Sequence, residues 1–165
     1  MAVDTSKYAH TERERKFLLQ YPANIVNGLP YKQIADYYIK NTSLRFRRVT
    51  DGESVVYKLT KKSQSIGGKA QITTIYLTEA EYSLLNIFDA VLVEKIRYIK
   101  VYGDFVIGID KYSKGNDELW LAEVEFNSDE EMSNFTLPFE YLAEVTDDIN
   151  YNGFALAERF GKAYN

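Results

Sequence analysis

Ionic side chains recur at every second position in several separate stretches of this chain, and that alternation constrains its fold more than any other feature. Glu12-Arg13-Glu14-Arg15-Lys16 opens the set. Residues two apart on a β-strand share a face, so Glu12, Glu14 and Lys16 project together. Two carboxylates held side by side repel unless a cation lies between them. Hard divalent ions such as Mg²⁺ or Mn²⁺ favour such oxygen ligands, usually one or two carboxylates completed by water and phosphate oxygens. The neighbouring ammonium of Lys16 suits an anionic ligand. A solvent-facing strand would show the same alternation, so this segment alone decides nothing.

Other segments repeat the pattern. Arg45-Phe46-Arg47, Lys58-Leu59-Thr60, Lys95-Ile96-Arg97, Asp110 at the end of Phe105–Ile109, and Glu123-Val124-Glu125 each place ionic residues on one face of an expected strand. Acids fall on the first and last of these strands and bases on those between. A closed barrel with a polar lumen gathers such faces, because interior and exterior residues alternate along every strand and closure leaves no edge. Val55, Leu59, Ile96, Leu121 and Val124 then face outward, under covering helices. Buried charges are costly unless paired, metal-bound or wet, so the lumen is expected to be a watery tunnel.

The chain's 165 residues suit one domain with a substantial core. Fourteen Tyr and nine Phe against three Pro favour strands. With no cysteine, disulfides and thiolate metal sites are excluded, as suits a cytoplasmic protein. No apolar run approaches the roughly 20 residues of a membrane span, and Met1 to Thr11 lacks an apolar signal-peptide core. The net charge of −4 gives no overall basic field for nucleic acid. Any anion must therefore be met in a local basic pocket.

Along the chain, strands are expected over Glu12–Leu18, Ile34–Ile39, Leu44–Val49, Ser54–Thr60, Gln71–Leu77, Val93–Val101, Phe105–Asp110 and Leu119–Phe126. Asp51-Gly52 and Gly103-Asp104 mark hairpin turns. Pro22 to Pro30 reads as a loop, and Lys61 to Lys69, with Gly67-Gly68, as a mobile loop without the spacing of a phosphate-binding one. Thr78-Glu79-Ala80-Glu81 is a capping box opening a helix to about Phe88. Ser128 and Glu131 suggest a second helix, Tyr141–Val145 a short strand, and Tyr151–Tyr164 an amphipathic terminal helix. The class is α+β, mainly β. Arg48, Lys61, Lys62 and Lys100 read as surface charges. His10, the single histidine, lies in an expected frayed terminus, which leaves Ser/His, Cys/His and zinc chemistries without support.

Taken in order, these motifs resemble the CYTH superfamily, the triphosphate tunnel metalloenzymes. The resemblance runs from Glu12 to about Asn152. It rests on ExExK (Glu12, Glu14, Lys16), RxR (Arg45, Arg47), the strand lysine Lys58, KxR (Lys95, Arg97), Asp110, ExE (Glu123, Glu125) and Glu144-Val145-Thr146. It implies a single tunnel domain over residues 1–165, an eight-stranded antiparallel barrel that binds triphosphate or polyphosphate with Mg²⁺ or Mn²⁺. By that resemblance Glu12, Glu14 and Glu125 are the principal metal carboxylates, with Glu123 and Asp110 near them. Asp110 could equally start the turn that follows it. Lys16, Arg45, Arg47, Lys58, Lys95 and Arg97 would grip phosphate oxygens.

Many family members carry an Arg and alternating Glu residues where this chain reads Lys69-Ala70-Gln71-Ile72-Thr73-Thr74-Ile75-Tyr76, and Lys69 is the candidate stand-in for that Arg. The implied activity is metal-dependent hydrolysis of inorganic tripolyphosphate or a related triphosphate. Adenylate cyclisation, thiamine-triphosphate hydrolysis and binding without turnover are alternatives. No general base is assigned, and a homodimer is among the assemblies allowed. Neither nucleic acid nor membrane is an expected partner.

Overall fold

The structure, a computed structural model, describes residues 7–164. Residues 1–6 of the stretch read as lacking a signal-peptide core, and residue 165, lie outside the described part. Eight strands form one sheet: β1 (His10–Leu19), β2 (Tyr31–Ile39), β3 (Leu44–Asp51), β4 (Ser54–Lys62), β5 (Lys69–Leu77), β6 (Ala90–Tyr102), β7 (Phe105–Lys114) and β8 (Asp117–Phe126). Their order is β6-β2-β3-β4-β5-β1-β8-β7, and β7 pairs back to β6, so the sheet closes. Every pairing around the ring is antiparallel. The expected barrel is therefore present.

Two short strands cover half-edges left by the stagger of the long ones. β9 (Ala143–Glu144) pairs with Phe17 and Leu18, beyond the stretch of β1 that pairs with β5. β10 (Lys162–Tyr164) pairs with Ala90–Leu92, below the stretch of β6 that pairs with β7. The terminal helix is consequently shorter than expected. It is α4 (Gly153–Phe160), capped by Asn152 Oδ1 accepting from the Ala155 N–H at 2.8 Å, and Gly161 ends it before β10 begins. Inside the expected loop after Pro22 lies one helical turn, α1 (Ala23–Val26).

Outward side chains pack under the remaining helices. Phe17, Ile107, Ile109, Val124 and Phe126 form a core beneath α3 (Asp129–Asn134) and the segment carrying Phe135 and Leu137. Phe46, Tyr37 and Leu59 pack under Tyr82 of α2 (Glu79–Leu84), which opens with the expected Thr78/Glu81 capping box. Leu121 does not belong with these outer residues. It shares the parity of Glu123, and Leu18, Val93 and Tyr112 likewise share that of Lys16, Lys95 and Asp110. These four gather with Leu156, Ala157 and Phe160 of α4 in a separate buried cluster. An apolar floor thus closes one end of the barrel, and the tunnel is a cup.

Candidate active site

Contacts that skip a strand show which face is inside. Lys62 on β4 reaches Glu12 on β1 although β5 runs between them. Arg97 on β6 reaches Glu123 on β8 past β7. Only side chains projecting into the enclosed space can meet that way. The reach of Arg97 depends on Gly108, which lies opposite Glu123 on β7. A Cβ there would sit 3.0 Å from Arg97 Nε, so hydrogen keeps the path clear.

Three buried or half-buried anions organise the inner cations. Asp36 on β2 accepts from Arg47 Nε at 2.5 Å and Nη2 at 2.7 Å, with Arg45 Nε 3.6 Å away. Burial works against the Asp36 charge, yet the two guanidiniums outweigh it and hold the carboxyl well below the usual range. Asp110 on β7 is wholly buried and accepts from Lys95 Nζ at 2.5 Å and from Arg97 Nε and Nη2 at 2.6 Å each. Lys95 also donates to the Tyr112 hydroxyl at 3.1 Å. Burial pushes the Lys95 ammonium down, and Asp110 only partly offsets it. Glu123 meets Arg97 and lies 3.7 Å from Lys16, and these cations with Lys95 hold it low despite its burial. Arg45 Nε is buried without a hydrogen-bond partner, Asp36 at 3.6 Å being an ion-pair contact only.

The β1–β8 seam is different. Glu14 stands directly opposite Glu125 in the ladder, and Glu12 shares their side of the sheet. Like charges in that register destabilise a sheet unless something lies between them. Glu125 reports the crowding. Although solvent reaches it at the mouth, partial enclosure together with Glu12 and Glu14 pushes its carboxyl above the ordinary range. Lys62 and Lys16 partly neutralise the group, Lys16 Nζ lying 3.3 Å from Glu14 Oε1. Among the described residues no three carboxylates stand ready-gathered around one point. The donor chemistry nevertheless fits a hard cation, since one or two carboxylates plus water and phosphate oxygens suffice for Mg²⁺.

Strand β1 is held from outside. Arg15 makes a bidentate pair with Glu144, 2.8 Å on each arm, and donates to the carbonyls of Met132 and Phe135. The Lys16 N–H donates to Thr146 Oγ1, and the Val145 N–H to the Lys16 carbonyl. Further along the same edge, the one not paired with β8, the Glu14 N–H donates to the Gly68 carbonyl at 2.8 Å, while the Gly68 N–H donates to Asp147. The expected mobile loop is therefore tied to the site at Gly68.

Of the residues singled out in the sequence, Glu12, Glu14, Lys16, Arg45, Arg47, Lys58, Lys95, Arg97, Asp110, Glu123 and Glu125 all lie on the inward parity of their strands. Lys58 extends over the Tyr76 ring, 5.2 Å from its centroid. Three readings change. Lys62 is an inner residue rather than a surface charge, because β4 runs two residues beyond Thr60. Lys69 lies outside, paired with Asp129 at 2.6 Å beside Arg13, so it does not stand in for a lumen arginine. His10 is the first residue of β1, paired with Ile72, rather than frayed. The inner face of β5 presents Ala70, Ile72, Thr74 and Tyr76 and carries no carboxylate. Asp36 and Gly108 were missed. A lone carboxylate in the otherwise apolar run Ile34–Ile39 was the available signal for the first, whereas nothing local marks the second.

The closed antiparallel barrel with this ionic lining is consistent with the triphosphate tunnel fold of the CYTH superfamily. Similar solved structures include the inorganic triphosphatase NE1496, 26% identical, covering 91% of this chain and 96% of that one at a TM-score of 0.55. A putative adenylate cyclase from Bacillus halodurans is 14% identical over 86% of this chain and 98% of its own, at 0.56. The PH1012 protein of Pyrococcus horikoshii is 15% identical over 92% and 94%, also at 0.56. No family model and no curated protein matches the sequence.

Proposed function

We propose that this protein hydrolyses inorganic tripolyphosphate or a related triphosphate, with Mg²⁺ or Mn²⁺ held at Glu12, Glu14 and Glu125 and with Glu123 and Asp110 close by. The observation that carries the reading is the division of the lumen. Carboxylates crowd along the β1–β8 seam, and the cations of β3 and β6 are held in place elsewhere on the wall by Asp36 and Asp110. The similarity to a structure described as an inorganic triphosphatase supports the same class of substrate.

Phosphoanhydride hydrolysis leaves a protein mainly positioning and electrostatic work. The Arg45 guanidinium, whose Nε makes no hydrogen bond, turns to a phosphate oxygen, and Arg47, already clamped by Asp36, is pre-oriented beside it. Lys95 and Arg97 are fixed by Asp110 and grip the chain without reorganising when charge builds on the leaving phosphate. Lys16 and Lys58 add point charges. A divalent ion, when bound, supplies neutralisation of phosphate oxygens and polarisation of the attacking water. The protein works as a soluble cytoplasmic enzyme on a small anionic substrate, without nucleic acid or membrane, and a homodimer is compatible with this. Among the described residues no helix is long and apolar enough to cross a membrane.

Phosphate release from tripolyphosphate with Mg²⁺ or Mn²⁺ tests the reading. Glu12→Ala and Glu14→Ala should each lower the rate by about a hundredfold or more while circular dichroism stays unchanged. Full activity in both folded variants would refute the assignment. Running ATP alongside separates hydrolysis from cyclisation, which yields cyclic AMP instead of free phosphate. The carboxylate-free inner face of β5 favours one second reading, binding without turnover. Tight tripolyphosphate binding with no phosphate released across metals and pH would select it.

A further inference from the structure

Lys62 places its ammonium against the carboxylates that the metal-dependent reading needs. It meets Glu12 and lies 3.8 Å from Glu14 Oε1. The two carboxylates are well enclosed, their side chains 13% and 14% exposed, while the lysine side chain is 32% exposed. The acids are therefore fixed and the base has room to leave. The contact is an ion pair of one ammonium with two carboxylates.

We propose that Lys62 is an internal counter-ion that holds the carboxylate seam together before metal binds, and that a divalent cation must displace it. This rests on the proposed metal site. A monovalent ammonium and a divalent ion cannot both occupy the space between Glu12 and Glu14, since their mutual repulsion at that range is large in a partly desolvated tunnel. Displacement frees a cation on the lumen side of β4, one strand from Arg45. The exchange couples metal entry to the arrival of an anion. Without metal the ammonium is held by the acids, and with metal it turns toward a phosphate oxygen. Lys62 is thus a positioning residue whose two partners alternate.

The test needs no turnover. Mn²⁺ binding to the full-length protein without substrate can be followed from the free-ion paramagnetic resonance signal. Lys62→Met should tighten Mn²⁺ binding by about tenfold or more, because the competitor is gone. Lys58→Met removes another inner cation of the same strand and controls for general field effects. It should tighten binding by less than about threefold. Lys62→Arg keeps the competitor and should bind no more tightly than wild type.

A second measurement uses the wild-type chain alone. Acylation of Lys62 by an amine-reactive reagent, read by peptide mass spectrometry, should accelerate when Mn²⁺ is added. Equal affinity in Lys62→Met and Lys58→Met, or acylation that Mn²⁺ leaves unchanged or slows, would overturn the proposal while leaving the metal site standing. Absence of Mn²⁺ binding in every protein would overturn the metal site as well.

Discussion

Glu14 and Glu125 occupy facing positions across the β1–β8 ladder, and the cost of that pairing is legible in the raised carboxyl of Glu125. The sign of its pH effect follows from that direction. A carboxyl that holds its proton more tightly folded than unfolded favours folding at low pH, and this benefit is lost as pH rises through the folded value. Glu125→Gln should therefore match wild type in acid and become the more stable form as pH rises past the ordinary glutamate range. Metal-free thermal denaturation across about pH 4 to 8 measures this. The same variant should bind Mn²⁺ more weakly, which sets function against stability at one residue.

Asp36 behaves in the opposite sense. Its depressed carboxyl contributes stability above the ordinary aspartate range that is lost as pH falls. Asp36→Asn leaves Arg47 buried with its bidentate partner gone and should cost about 3–5 kcal/mol in denaturant unfolding.

Strand β1 shows how an element positions the site. Its inner residues include the proposed metal carboxylates, while Arg15 anchors its outer face and Thr146 and Gly68 hold the edge that β8 does not pair with. Gly68 has φ +71°, and a Cβ there would come within 2.6 Å of the Glu14 carbonyl oxygen. Gly68→Ala should destabilise the fold by more than about 1 kcal/mol and lower phosphate release further than the lost folded fraction explains, because Glu14 moves with that carbonyl.

The period of two made the strands and most inner residues readable from sequence alone, since charge on one face of an apolar strand has few other origins. That same period misled at the strand ends. In Lys61-Lys62 a charged doublet leaves the parity ambiguous, and one residue of register exchanges inside for outside. Leu121 obeys the alternation but lies deep enough in the barrel that its inner neighbours are apolar. The three-residue β10 and the glycine opposite Glu123 answer to tertiary contacts, which no local window contains.

The whole molecule is graded along its axis. An apolar floor of Leu18, Val93, Leu121 and α4 lies below a belt of paired charges, and the carboxylate seam rises from the belt toward the mouth. The floor keeps the adjoining belt partly out of water, in a medium where each charge acts strongly. Leu156, almost wholly buried in that floor, should cost about 2–5 kcal/mol when changed to Ala, measured by chemical denaturation. A barrel that opens at both ends in that variant would also weaken tripolyphosphate binding.

If acids and bases from distant parts of the chain converge to bind a metal and a phosphate chain together, both ligands must lie inside the barrel. Diffraction at the manganese absorption edge, from crystals grown with Mn²⁺ and a non-hydrolysable tripolyphosphate analogue, tests it most directly. An anomalous peak beside Glu12 and Glu14 is expected, with phosphate oxygens reaching Arg45, Arg47 and Arg97. An ion and analogue bound on the outer surface, with the tunnel pairs undisturbed, would contradict it.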